Sequence, residues 1–285
     1  MTSDPQDAKL GHATVSFRAV SAEETLRANR ADWDRSADEY QAEHGAFLRD
    51  SGFIWSPEGL DEATARLLGD VKGEAILEVG CGAGQCSRWL LGRGAHPVGL
   101  DLSIRQLQHS ARLDAATRLP VPVVCATATC LPFEDAAFDH AFSAFGALPF
   151  VADVEPVMRE VARVLRPDGR WVFAVSHPMK WTLPDDPTAA GLTVVRSYFD
   201  RTPYVEEDDH GTPTYVEHHR TMSDWVRVLV AAGFDLVDLT EPRWPDDLDR
   251  VWGGWGADSR LFDTGDGDLQ LPAALRRSQP SRERD

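Results

Sequence analysis

The hydrophobic positions from residue 75 onward follow two alternating patterns. Short apolar runs with β character are each followed by a stretch in which apolar residues recur every three or four positions, as on one face of a helix. The predicted strands cover residues 75–79, 97–101, 122–125, 138–145, 171–176 and 234–239. The predicted helices begin near residues 85, 103, 153 and 223. Strands that alternate with helices in this way predict an α/β fold with a doubly wound, mostly parallel sheet.

The segment before the first of these strands is predicted to be helical. Ser21 and Glu24 have the Ser-x-x-Glu spacing of a capping box and predict a helix that runs to about Asp32. A second helix is predicted from Pro57 to Leu68. The polar stretch between them carries Trp33, Tyr40, His44, Phe47, Phe53 and Trp55. We therefore expect residues 21–70 to form a helical lid over the sheet edge or a ligand mouth.

Three other stretches lack a sustained hydrophobic period. Residues 1–20 are polar and are expected to be disordered, and residues 273–285 are expected to be a flexible tail. Residues 178–220 interrupt the alternation of strands and helices and are expected to form an irregular roof insertion. The main domain is accordingly predicted over residues 71–272.

Composition narrows the classes of partner. The 285 residues include 46 acidic and 29 basic side chains, for a formal charge of -17, which disfavours nucleic acid and anionic membranes as partners. There is no apolar N-terminal segment and no apolar run of membrane-spanning length, so we expect a cytoplasmic protein, either a monomer or a homodimer. The four cysteines form two pairs spaced five apart, which predicts buried reduced thiols and no metal site.

The chemistry of the chain centres on a glycine-rich turn after the first predicted strand. Gly80, Gly82 and Gly84 stand at alternate positions just before an amphipathic helix. Glycines allow a sharp turn and close approach of a ligand, and the free N–H groups of the new helix attract an anion. Asp101 ends the second strand, where an acid can accept hydrogen bonds from ribose hydroxyls. The pattern therefore predicts an adenosine-type ligand.

The spacing of the glycines separates the candidate nucleotides. A dinucleotide fingerprint has the form G-x-G-x-x-G, but its third glycine is replaced here by Gln85. This argues against a NAD(P)-dependent oxidoreductase, which stays open as a less favoured alternative. A phosphate-binding P-loop is excluded because no Lys-Ser/Thr pair follows the glycines.

Several motifs in order resemble the class I S-adenosylmethionine-dependent methyltransferases, in their small-molecule type. The motifs are Glu78–Gly84, Gly99–Ser103, Leu131–Asp139 and Arg159–Arg170, with Trp33, Asp34 and Tyr40 similar to the N-terminal lid of many members. The resemblance implies a Rossmann-like fold, S-adenosylmethionine as methyl donor and S-adenosylhomocysteine as product. A closing antiparallel strand pair, which the family would have, is hard to find in the sequence after Trp255.

The resemblance also implies roles at matching positions. The three glycines would shape the floor under the methionine part, Glu78 would orient the turn, Asp101 would hold the ribose, and Leu102 would lie against the adenine. Where the family often has an acid near the adenine, this chain has Thr127-Ala128-Thr129. The implied cofactor-binding residues are Trp33, Tyr40, Glu78, Gly80, Cys81, Gly82, Gly84, Asp101, Leu102, Thr127, Ala128, Thr129, Ser143 and Phe145, the last two facing the methyl sulfonium.

Candidate catalytic residues are histidines near the expected ligand site. His177 follows the fifth strand of the sheet and is a candidate general base, although Ser-His-Pro also fits a simple turn. His218 in the roof is a second candidate, while a metal site that combines it with His210 and His219 fits no usual spacing. Four aromatic residues could line an apolar acceptor pocket or belong to the core: Trp181, Tyr198, Phe199 and Tyr204. The sequence thus favours methyl transfer to a small, apolar or aromatic metabolite, with a non-catalytic S-adenosylmethionine-binding protein as the alternative.

Overall fold

The computed structural model describes residues 14–145, 147–184, 186, 189–245, 251–252, 255–256 and 273–277. The strands are β1 (Thr14–Phe17), β2 (Ala75–Val79), β3 (His96–Asp101), β4 (Val123–Cys125), β5 (Phe138–Ser143), β6 (Leu165–Phe173), β7 (Tyr204–Glu207), β8 (Pro213–Glu217), β9 (Phe234–Leu239), β10 (Val251–Trp252), β11 (Trp255–Gly256) and β12 (Ala273–Arg277). The helices are α1 (Ala22–Leu48), α2 (Glu62–Ala65), α3 (Gln85–Leu91), α4 (Ile104–Thr117), α5 (Glu155–Val164) and α6 (Met222–Ala231). Short 3₁₀ turns lie at Leu148–Phe150, Pro178–Thr182 and Ala189–Leu192.

A seven-stranded sheet with the order β4-β3-β2-β5-β6-β12-β9 forms the centre of the molecule. The first five strands of this order pair in parallel. Strand β12 runs antiparallel to both of its neighbours. From β2 the chain adds β3 and β4 on one side of the sheet and then returns to add β5 and β6 on the other side of β2. Helices therefore cover both faces. The predicted doubly wound, Rossmann-like α/β fold is confirmed.

Alternating residues along the central strands enter two different cores. Leu77 and Val79 pack with the α5 and α6 side chains, whereas Ile76 packs with Trp89 of α3. Since successive strand side chains point to opposite faces of a sheet, this division follows directly from the pleat. Both faces are apolar because both are covered, as expected for parallel strands.

The position of β12 corrects the expectation of a flexible tail at residues 273–285. Residues 273–277 insert between β6 and β9 and supply the closing antiparallel pair that was not found from the sequence. The strand was not predicted because its apolar run, residues 273–275, is short and is followed by two arginines, so it shows no alternation of apolar and polar residues. The other residues of the predicted tail lie outside the described residues.

The lid, here defined as α1, differs in length from the prediction. Its capping box is confirmed, with the Ser21 hydroxyl accepting from the Glu24 N–H and the Glu24 carboxylate accepting from the Ser21 N–H. The helix continues to Leu48 because no proline or glycine interrupts it before Gly45. The helix predicted from Pro57 to Leu68 is wrong: Gly59 has a φ of +82°, and Asp61 caps a single short turn.

Residues 178–220 are more regular than expected. Strands β7 and β8 form an antiparallel hairpin, here called the roof hairpin, and β1 pairs with its outer edge. The pairing of Thr14–Phe17 with Tyr204–Glu207 joins segments far apart in the sequence, so neither could be found from local pattern. It also corrects the expectation of disorder for residues 14–17, while residues 1–13 lie outside the described residues.

No helix in the described part of the chain is both long enough and apolar enough to cross a bilayer.

Candidate active site

A cavity of about 570 Å³ opens at the carboxyl ends of β2, β3 and β5, beneath the lid. Open α/β sheets bind ligands at this edge, where the strand order reverses. One side of the cavity, here called the turn side, is lined by residues from the stretches 78–86, 100–102 and 126–129. The opposite side, the lid side, is lined by residues from the stretch 22–29 of the lid and from the stretch 147–153 after β5. The two sides belong to one continuous space.

The glycine turn forms the floor of the turn side. Gly80, Gly82 and Gly84 all have positive φ values, between +51° and +75°, which L-residues rarely adopt. A Cβ on Gly80 would lie 2.7 Å from the Ala147 Cβ, so this position requires glycine for space as well as for conformation. The turn is fixed at its start by hydrogen bonds from the Gly80 and Cys81 N–H groups to the Leu100 carbonyl.

Glu78 lies behind the turn and ties β2 to α3. Its carboxyl accepts hydrogen bonds from the Ser87 N–H and the Ser87 hydroxyl, and only 3% of the residue is exposed. Burial raises the pKa of Glu78 to about 8, and the hydrogen bonds from Ser87 only partly oppose this. The side chain therefore carries its proton at neutral pH in the absence of a ligand.

Asp101 connects the turn to the start of α4. Its carboxylate accepts from the Gly82 N–H at 2.7 Å and from the Ser103 N–H at 2.8 Å. Burial raises the pKa of Asp101, and these backbone donors oppose the shift. The residue lines the cavity, with its oxygens held in place for further hydrogen bonds.

The adjoining segments complete the turn side. Thr127 and Thr129 bond to each other through their hydroxyls at 2.9 Å, so the Thr-Ala-Thr stretch forms a small polar turn at the cavity edge. After β5, the backbone of Phe145 has a φ of +54°, unusual for a bulky residue, and its side chain lines the cavity. The Ser143 hydroxyl accepts from the Ala147 N–H and so helps to shape this bend.

Comparisons with known proteins agree with this geometry. Residues 77–173 match the family model described as a methyltransferase domain. A demethylmenaquinone methyltransferase from Clavibacter sepedonicus is 34% identical over 184 residues, which are 62% of this chain and 71% of that protein. The chain belongs to the class I S-adenosylmethionine-dependent methyltransferases.

Two further relatives define the extent of the similarity. The O-methyltransferase cnsE of Penicillium expansum is 32% identical over 183 residues, covering 62% of this chain and 57% of that protein. A crystal structure of an S-adenosylmethionine-dependent methyltransferase from Mesorhizobium loti is 28% identical, with a TM-score of 0.56 over 75% of this chain and 96% of that one. The chain spans about half the length of the first curated relatives that it matches.

The structure brings together most of the residues that the family resemblance assigns to the cofactor. The predicted residues that line the cavity are Trp33, Tyr40, Glu78, Gly80, Cys81, Gly82, Asp101, Leu102, Thr127, Ala128, Thr129 and Phe145. Gly84 and Ser143 lie just outside the lining. Gly84 instead precedes α3, where a Cβ would lie 3.0 Å from the Ser110 hydroxyl, and Ser143 supports the bend described above.

His177 lies outside the lining of the cavity. Its Nδ1 accepts from the Met179 N–H at 3.1 Å, and its Nε2 lies 3.0 Å from a Glu241 carboxylate oxygen. Both ring nitrogens are therefore engaged, Nδ1 within the turn and Nε2 with Glu241 after β9. This arrangement matches the structural alternative that the sequence left open for His177, and the position gives it no contact with the cavity of the methyltransferase.

His218 lies behind the cavity wall, beyond Thr25. Its Nε2 is 3.1 Å from the Thr25 hydroxyl, and Thr25 lines the cavity. Burial, with a smaller contribution from Arg220, lowers the pKa of His218 to about 4, so the ring is neutral at pH 7. The neighbouring His219 lies near the Tyr198 carbonyl instead, with its Nε2 2.8 Å away.

The four roof aromatics, for which the sequence left a pocket role and a core role open, are absent from the described residues that line the cavity. Trp181 packs against Tyr204 and His219, and Tyr198 packs against Phe199 and His219. The roof aromatics thus hold the roof together. Phe150 from the turn after β5 lines the lid side in their place, edge-on to Trp33.

A chain of three glutamines was missed by the sequence analysis. Gln85 donates to Gln41 and Gln41 donates to Gln106, each at 3.0 Å, and all three side chains line the cavity. The chain links the lid to the starts of α3 and α4 across the glycine turn. The sequence shows Gln85 only as a replacement for glycine, because a contact among three separate helices leaves no local pattern.

No group of three or more His, Cys, Asp or Glu side chains suited to a metal ion occurs in the part of the chain that the structure describes.

Proposed function

We propose that this protein transfers the methyl group of S-adenosylmethionine to a small, uncharged, apolar or aromatic acceptor. The observation that carries the proposal is one cavity with two unlike sides. The turn side presents the backbone and Asp101 as expected for the donor, and the lid side is mainly apolar, with Leu26, Phe150 and Val151. The names of the relatives, which act on demethylmenaquinone or are O-methyltransferases, support an acceptor of this kind.

The charges around the cavity support an acceptor without an anionic group. Among the described residues that line it, there are four carboxylic acids, Glu23, Glu78, Asp101 and Asp153, and no Lys, Arg or His side chain. Glu78 carries its proton at neutral pH, so the negative charge comes from the other three. A carboxylate or phosphate on the acceptor would therefore be repelled, whereas an apolar ring would pack against Phe150 and Trp33.

The donor would be held by residues of the turn side. S-adenosylmethionine, when bound, supplies a methyl group on a positively charged sulfur that is already a good leaving group. Asp101 would accept hydrogen bonds from ribose hydroxyls, Leu102 and the Thr127–Thr129 turn would border the adenine, and Gly80 would leave room for the methionine part. The lid would exclude water through Trp33 and Tyr40, and alignment in this closed space supplies much of the rate.

Thr25 lines the lid side and could meet the acceptor, whereas His218 lies behind it and reaches the cavity only through the Thr25 hydroxyl. Thr25 would orient an acceptor hydroxyl or amine, and the neutral imidazole of His218 would orient the Thr25 hydroxyl. A base works best when its pKa is near the working pH, so His218 would mainly act by hydrogen bonding. We therefore propose His218 as an orienting group and not as the primary proton acceptor.

Isothermal titration calorimetry tests the donor half of the proposal. We expect S-adenosylhomocysteine to bind the purified protein. NADH, titrated as a control, should give no heat of binding. Failure to bind either S-adenosylmethionine or S-adenosylhomocysteine would overturn the proposal.

Incubation with S-adenosylmethionine carrying a labelled methyl group, and with extracts fractionated by charge and polarity, tests the acceptor half. We expect label in uncharged apolar products. Normal donor binding without transfer to any fraction would favour the alternative, a cofactor-binding protein without catalysis.

A further inference from the structure

The segment Leu148–Ala152, here called the lid-side wall, has an unusual hydrogen-bond pattern. Each of its five consecutive backbone carbonyls accepts a hydrogen bond from the lid or from the segment after β8. Arg220 donates to the carbonyls of residues 148, 151 and 152, the His218 N–H donates to that of residue 149, and the Asn29 amide donates to that of residue 150. Phe150, Val151 and Ala152 line the cavity. The shape of the wall is therefore held by donors outside the segment, in addition to its own turn, in which the Val151 N–H donates to the Leu148 carbonyl.

Asn29 joins three parts of the molecule with one amide group. Its Nδ2 donates to the carbonyls of Phe150 and Val216, both at 2.9 Å, and its Oδ1 accepts from the Val216 N–H at 2.9 Å. The residue is 1% exposed and lies on α1. An aspartate of the same shape could not donate to the two carbonyls, so the lid, the roof hairpin and the wall depend on the amide itself.

Arg220 uses the planar fork of its guanidinium in a similar way. One nitrogen, Nη2, donates to Val151 and Ala152, and the other, Nη1, donates to Leu148 at 3.4 Å and to the His218 carbonyl at 3.3 Å. The guanidinium lies 5.4 Å from the centre of the Trp225 ring. A lysine, with a single nitrogen, could not bridge carbonyls spread over five residues in this geometry.

We propose that Asn29 and Arg220 are positioning residues that hold the lid-side wall in the shape that receives the acceptor. The inference rests on the proposed function, because it assigns the acceptor to the lid side. Both residues bind the wall backbone, and Asn29 also lines the cavity itself on the lid side, so their effect falls on the acceptor and leaves the turn side unchanged. Loss of either set of hydrogen bonds releases Phe150 and Val151 from the cavity surface.

The variants Asn29→Asp and Arg220→Met test this, with Arg201→Met as the matched control. The control substitution also removes a positive charge near α6, because Arg201 pairs with Asp224. The hydrogen bonds of Arg201 go to Asp224 and to the Phe199 carbonyl, not to the wall. The rate of amide hydrogen exchange in residues 147–154 of the S-adenosylhomocysteine complex reports how firmly the wall is held. The affinity of the same complex for 1-naphthol, an uncharged aromatic probe followed by its fluorescence, reports the shape of the lid side.

We expect at least tenfold faster exchange in the wall and at least tenfold weaker 1-naphthol binding in both variants, with unchanged S-adenosylhomocysteine affinity. Guanidinium ions at millimolar concentration should partly restore the slow exchange in Arg220→Met but not in Asn29→Asp, which a general loss of stability would not produce. For an acceptor found by the labelling screen, misplacement of about 1 Å would lower kcat/KM by on the order of 100-fold.

The possible failures are distinguishable. Wild-type protein that binds no S-adenosylhomocysteine would overturn the proposed function itself. Wild-type binding together with equal wall exchange and equal 1-naphthol behaviour in the variants, in the control and in the wild type would overturn the positioning role alone.

Discussion

The two sides of the cavity are built in different ways. The turn side depends on contiguous motifs whose backbone conformation is set by local residues, such as the positive φ values of Gly80, Gly82 and Gly84. The lid side depends on hydrogen bonds between residues far apart in the sequence, such as Asn29 with Val216. A single substitution can therefore remove a contact that holds the lid side, whereas the turn side depends mainly on the conformation of its own residues.

The largest effect is expected where the two sides touch, at Gly80. In Gly80→Ala the new Cβ would overlap Ala147, the residue just before the lid-side wall, and the backbone would keep an unfavourable φ of +75°. The conformational part alone costs roughly 1–2 kcal/mol, and the overlap adds to it. We expect S-adenosylhomocysteine binding to be lost and the melting temperature to fall. Calorimetric titration and thermal unfolding measure the two effects.

Gly82→Ala is the matched control for this experiment. Gly82 also has a positive φ, of +51°, but the nearest atom to a new Cβ is the Gln106 Oε1 at 3.8 Å. Only the conformational cost should remain. If both variants behave alike, the contact between the turn and Ala147 has no role in coupling the two sides.

The pH dependence of stability provides the second prediction, at Glu78. A carboxyl with a raised pKa binds its proton more tightly in the folded state than in the unfolded chain. Its contribution to stability is therefore complete below its ordinary value of 4.5 and is lost as the pH rises through about 8. Glu78→Gln should remove this loss, so the variant should be more stable than the wild type at pH 9, by roughly 2–4 kcal/mol.

Chemical unfolding at pH 6 and at pH 9 measures the effect, with the difference between the two proteins as the readout. A difference that does not change with pH would show that Glu78 is ionised in the folded state and that burial does not control it. The turn side would then contain a buried charge at Glu78, not a buried neutral carboxyl.

The third prediction concerns Asp101. Removal of its carboxylate in Asp101→Ala leaves the Gly82 and Ser103 N–H groups without their acceptor and takes away the proposed ribose contact. A lost partner of this kind costs roughly 1–3 kcal/mol, or about 5- to 150-fold in affinity for S-adenosylhomocysteine. Asp135→Ala, which removes the same charge from an exposed pair with Arg163, should bind normally. Equal affinities would show that the donor is held elsewhere.

Features built from neighbouring residues could be predicted from the sequence, whereas contacts between distant segments could not. The strand after which the glycines turn, the acid at the end of β3 and the capping box of Ser21 are local features, and each could be found because the residues concerned are close in the chain. Strand β12 and the pairing of β1 with the roof hairpin could not be predicted, since the partner strands lie far away in the sequence. The proposed role of Asn29 could not be predicted either. Its partner Val216 lies far away in the sequence, and nothing near Asn29 in the helix indicates that contact.

The smallest expected effect lies where the lid meets the turn side, at Gln41. Gln41→Ala breaks the hydrogen bonds to Gln85 and Gln106, each worth about 1 kcal/mol, so release of S-adenosylhomocysteine should accelerate about 3- to 10-fold. Stopped-flow displacement measures the rate. Gln108→Ala, on the exposed part of α4, is the control and should release the ligand at the wild-type rate. Equal rates in the two variants would mean that the turn side holds its ligand without the lid, and that its construction is local throughout.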